Sequence, residues 1–104
     1  MTKANILTLL ETNLGYTFPS TPSSTQQIRI NFLNQEIDSA IEFIKREGIT
    51  LPDDNFTAED AQLIMMYAAY LDSKRRTNEP MPRMLRFAMN NRLFSEKASG
   101  ADDT

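Results

Sequence analysis

The side chains able to do chemistry in this sequence are few, and nearly all of them are charged. Glu36, Asp38 and Glu42 fall close together, as a general acid and base would, but in a helix Glu36 and Asp38 point about 200° apart. They cannot work as a pair and read as a solvated face. Asp53, Asp54 and Asn55 offer oxygen ligands of the kind calcium takes, yet the glycine and terminal glutamate of an EF-hand loop are missing, and turn formation explains them better. The chain has no histidine and no cysteine, which removes the usual neutral-pH base, the commonest metal ligand and the thiolate nucleophile together. Gly15, Gly48 and Gly100 are too scattered to cradle a phosphate. An enzyme is not expected, nor any cofactor or metal.

Charge is the more informative property. The segment from Lys74 to Lys97 holds seven basic residues (Lys74, Arg75, Arg76, Arg83, Arg86, Arg92 and Lys97) against Glu79 and Glu96, a local charge of +5 within a protein of net charge −3. Such asymmetry points to an interaction surface. Lys74, Arg75 and Arg76 are explained in part by the negative end of a helix dipole. With Arg83 and Arg86 across a turn, they would also suit phosphates or an acidic protein surface.

The elements that must position these groups are all helical. Thr2 caps a first helix over about residues 2–14, carrying Ile6, Leu7, Leu10 and Leu14 at spacings of three and four and ending at Gly15. Residues 15–25 are rich in Gly, Pro, Ser and Thr and form a long loop, anchored by Tyr16 and Phe18. The longest helix, about 25–47, places Ile30, Leu33, Ile37, Ala40, Ile41 and Ile44 on one stripe, widened by Ile28 and Phe32, and organises the core; Gly48 closes it. Thr57 starts a third helix over about 57–76, with Ala61, Ile64, Ala68 and Leu71 facing inward and Phe56 packing on Ala61. Pro82 occupies the first turn of a fourth, about 82–97. Residues 98–104 read as a flexible polar tail. The expected fold is all-α: one small four-helix bundle-like domain, with no membrane-spanning segment.

On the fourth helix, Met84, Leu85, Ala88 and Arg92 share one side, with Met89 at its border, and this side faces the core. Arg83, Arg86, Asn90 and Lys97 gather opposite, with Phe87 and Phe94 beside them. Phe87 and Phe94 either pack under the 15–25 loop or against the first helix, or they anchor another protein, since aromatic residues and arginines mixed on one face are typical of interface centres.

The run Met66-Tyr67-Ala68-Ala69-Tyr70-Leu71, the basic turn before Pro80-Met81-Pro82-Arg83-Met84-Leu85, and Asn90-Asn91-Arg92-Leu93-Phe94 together resemble the head-tail connector (adaptor) proteins of tailed phages, small helical proteins also described as DNA-packaging proteins. The front of the chain is more weakly similar, through Asn13-Leu14-Gly15 and Glu47-Gly48-Ile49. The resemblance implies a structural virion protein whose copies form a ring, twelve-fold by that resemblance, beneath the portal after DNA packaging. The ring provides a platform for tail attachment. Its implied partners are the portal protein, neighbouring copies, a tail-side connector or stopper protein, and DNA passing through the channel without sequence-specific binding. The implied location is the host bacterial cytoplasm during assembly and then the virion head-tail interface. Arg83, Arg86, Phe87, Asn90, Phe94 and Lys97 would contact the portal or a neighbouring subunit. The Ser/Thr/Pro-rich loop at 15–25 is longer than the family pattern. The alternative from charge alone is a small helical DNA-binding regulator using residues 74–92.

Overall fold

In the computed structural model, which describes residues 1–78 and 80–102 (without the side chains of Arg76 and residues 98–102), the chain folds into four α-helices: α1 Lys3–Leu14, α2 Ser24–Arg46, α3 Ala58–Thr77 and α4 Arg83–Asp102. The first three begin at reciprocal caps. Thr2, Ser23 and Thr57 each accept from the backbone N–H three residues on, and Asn5, Gln26 and Asp60 reach back to the cap backbone. Each cap satisfies two otherwise orphaned donors. The Ser23 cap sets the start of α2 slightly before the boundary expected near residue 25.

Glycine closes the first two helices. Gly48, at φ +102°, donates to Lys45 O at 3.0 Å, and Ile49 donates to Ile44 O at 3.4 Å. This is a complete Schellman closure, and it turns Ile49 into the core, where it is 2% exposed. Gly15 and Tyr16 repeat the arrangement at the end of α1 with Thr12 and Glu11. Asn78, at φ +55°, closes α3. The fourth helix starts one residue after Pro82, whose carbonyl accepts from Arg86 N at 3.1 Å, so the proline caps the helix instead of occupying its first turn. At the other end α4 runs past the expected boundary at Lys97 to Asp102. The last residues of the expected polar tail, 103–104, lie outside the described residues.

The core is built from Ile6 and Leu10 of α1, Leu33, Ile37 and Ile44 of α2, Ile64 and Ala68 of α3, and Leu85 and Met89 of α4. The inward stripes therefore fall close to the positions expected. The hub differs: α2 is the longest helix, but α3 is the one that packs against all three others. Two widening residues of the α2 stripe also lie elsewhere, since Ile28 is 58% and Phe32 41% exposed. Periodicity gives the angle between residues, whereas the neighbouring helices decide which arc is covered. Tyr16 and Phe18 stack at 5.6 Å and pack partly against the core, anchoring the loop as expected. Among the described residues no helix is long and apolar enough to cross a membrane.

Candidate partner-binding surface on α4

The outward side of α4 is defined by how firmly its inner side is held. Leu85 and Met89 are 1% and 0% exposed. Two turns on, Arg92 reaches the first turn of α3, where its Nη1 lies 2.6 Å from Asp60 Oδ1. Asp60 is itself buried, and its other oxygen accepts from the Thr57 amide at 3.4 Å. One carboxylate thus closes the α3 cap and anchors α4. Arg92 also donates to Glu96 Oε1 at 3.3 Å and to the Thr50 carbonyl at 3.4 Å, while the Thr50 amide donates to Glu96 at 3.0 Å. Burial works against the charge on Arg92, but Asp60 first, then Glu96 and Glu59, outweigh it and raise the pKa above the ordinary arginine value. The aspartate at this capping position, shorter than the glutamate such a cap prefers, is the length that serves both contacts.

With that side fixed, Arg83, Arg86, Phe87, Asn90, Phe94 and Lys97 are all exposed. Phe87 is 64% and Phe94 76% exposed, neither covered by the 15–25 loop nor packed under α1. Met84, expected on the core side, is 73% exposed. It stands about 100° from the centre of the Leu85, Met89 and Arg92 stripe, which turns it past the edge of α3 and adds it to the outward face.

The basic segment does not assemble into one phosphate-ready patch. Arg75 Nη1 turns to Glu36 Oε1 at 3.1 Å and stacks 4.6 Å over the Phe32 ring. Lys74 lies 5.9 Å over Tyr70, Arg86 sits 3.8 Å from Glu47, and Arg92 is taken by Asp60. The Arg76 side chain lies outside the described residues. Three of the seven cations therefore already face carboxylates, while Arg83 and Lys97 flank the phenylalanines.

No family model, no curated protein and no solved structure matches this chain. The functional reading rests on the residues alone.

One feature of the α2–α3 junction escaped the sequence pattern. Glu36, expected in a solvated face with Asp38 and Glu42, is buried at 7% exposure, whereas Asp38 is exposed and pairs with Lys3 at 3.0 Å. The 200° separation that ruled out a pair is what turns Glu36 inward, toward Asp72 and Arg75 of α3. Burial, then the neighbouring Asp72 carboxylate, raise the Glu36 pKa to about 7, against the opposing pull of Arg75. Its Oε2 is buried with no donor among the described residues.

Proposed function

We propose that this protein is a non-enzymatic assembly subunit, a phage head-tail connector, that binds a portal ring through the outward face of α4. The observation that carries this reading is the exposure of Phe87 and Phe94 on a helix whose opposite side is locked to α3. Two large aromatic rings left in water on a rigid support are unfavourable for a lone domain. They become favourable once covered, at roughly 1.5–3 kcal/mol for each side chain buried. Arg83, Asn90 and Lys97 beside them supply the polar rim of a protein interface. The resemblance of residues 66–97 to head-tail connectors supports the portal as the partner.

Sequence-neutral or regulatory DNA binding is less well supported, because Arg75, Arg86 and Arg92 are each engaged by a carboxylate. A phosphate would have to displace those partners.

The test is to mix the purified protein with its purified cognate portal ring and to follow the mixture by sedimentation velocity and native mass spectrometry. Addition of multiple copies to one portal ring is expected. A portal that sediments unchanged with the protein in large excess contradicts the reading.

A further inference from the structure

A second surface, sharing no residue with the α4 face, runs along the outer seam of α2 and α3. On α2, Ile28, Phe32, Glu36, Ser39 and Phe43 fall within about 80° of arc. Ile28, Phe32 and Phe43 are 58%, 41% and 38% exposed. Leu71 of α3 forms part of the facing wall. Two openings punctuate the seam, about 390 Å³ beside Phe43 and Leu71 and about 180 Å³ beside Ile28 and Phe32. Three large apolar side chains share this face, Ile28 with Phe32 at one opening and Phe43 at the other, with Glu36 and Ser39 between them.

The rim of this face is cationic. Arg75 stacks 4.6 Å over Phe32 and Arg46 5.6 Å over Phe43, while Lys74 lies 5.9 Å over Tyr70. Arg29 stands at the far end, 5.4 Å over Tyr16. Arg29, Arg46 and Lys74 have no carboxylate within ion-pair distance among the described residues. Of the described residues lining the two openings only Glu36 is acidic, and it is buried against Arg75. Stacking on the rings holds these cations in place, and Arg75 is held further by its bond to Glu36.

We propose that the α2–α3 seam is a docking groove for an acidic amphipathic helix of another protein. Apolar residues on one face of that helix cover Ile28, Phe32 and Phe43, and flanking carboxylates meet Arg29, Arg46 and Lys74, Arg75 being held by Glu36. Charge complementarity selects this occupant, since the basic outward face of α4 on a second copy would meet like charges here. The proposal is independent of the connector reading.

The probe is a fluorescent synthetic helical peptide with Leu at alternating spacings of three and four and Glu on both flanks, compared with a control in which Lys replaces every Glu. Anisotropy is expected to show at least about tenfold tighter binding of the Glu peptide at low salt, weakening as salt rises. Arg46→Glu with Lys74→Glu should abolish that preference. Phe32→Ser should weaken binding about tenfold, and Phe87→Ser with Phe94→Ser should leave it unchanged. Circular dichroism checks that each variant keeps its helices. Equal binding of the two peptides, no binding of either, or loss of binding in the α4 variant overturns the proposal. So does self-association of the protein that Phe32→Ser abolishes, which would make a second copy the occupant.

Discussion

Two arginine–carboxylate contacts on α3 are settled in opposite ways. Arg92, between α4 and α3, has Asp60 at 2.6 Å and Glu96 at 3.3 Å, and its proton is held more tightly than in a free arginine. Glu36, between α2 and α3, has Arg75 at 3.1 Å, but burial and Asp72 outweigh it, and its carboxyl titrates at about 7. The first site is a latch of opposite charges. The second is an acid whose charge depends on the solution around it. The same kind of contact, an arginine against a carboxylate on the next helix, is thus a fixed anchor in one place and conditional in the other. What differs is whether the buried group meets opposite charges or a like one.

Breaking the latch should have the largest effect. Arg92→Ala leaves Asp60 buried without its partner, and a loss of about 3 kcal/mol is expected in urea unfolding at pH 7. Hydrogen exchange should then rise in α4 before it rises in α2. A loss below about 1 kcal/mol would mean that Asp60 relaxes into solvent and that Leu85 and Met89 alone hold α4.

The conditional site is sharpened by pH. Folding raises the Glu36 pKa from 4.5 to about 7, so the folded chain binds this proton more tightly than the unfolded chain. The stabilisation from that proton is complete below about pH 4.5 and is lost as pH rises through about 7. We expect the loss to be roughly 2 kcal/mol between pH 5 and pH 8. Glu36→Gln carries no such proton, so the variant should exceed the wild type in stability at pH 8. Parallel stability profiles of the two proteins across that range would contradict the assignment.

A smaller effect is expected where α4 rests on the α2 closure. A Cβ on Gly48 would meet Leu93 Cδ2 at 3.4 Å, ordinary contact, so the cost of Gly48→Ala comes from the backbone at φ +102°. That cost should be about 1 kcal/mol, measured as a shift in the denaturation midpoint with unchanged slope. The smallest stability effect is expected on the outward face. Phe87→Ser with Phe94→Ser should change stability by less than about 0.5 kcal/mol, because neither ring packs on the core.

The comparison also separates what the sequence made legible from what it did not. The Thr2 and Thr57 caps, the Gly15 and Gly48 closures and the inward stripes could be read directly, because each is set by residues a few positions apart. The outward placement of Phe87 and Phe94 followed from 100° per residue and a known inner side. Glu36 could not be read as buried, since a carboxylate in a helical pattern is ordinarily solvated and its partners lie on another helix. Arg92 was assigned to the inner side, but its pairing with Asp60 joins separate helices and has no periodic signature. Ile28 and Phe32 show the converse failure. Their spacing continues the core stripe, yet α1 and α3 do not reach far enough around α2 to cover them.

The outward face of α4 is the proposed portal-binding surface. The most direct test compares affinity for the portal ring among the wild type, Phe87→Ser with Phe94→Ser, and Phe32→Ser with Phe43→Ser, each matched for helix content. Loss of two buried aromatic contacts should weaken binding by the first variant about 100-fold or more, with the second close to wild type. Wild-type affinity in the first variant, or an equal loss in the second, would contradict it.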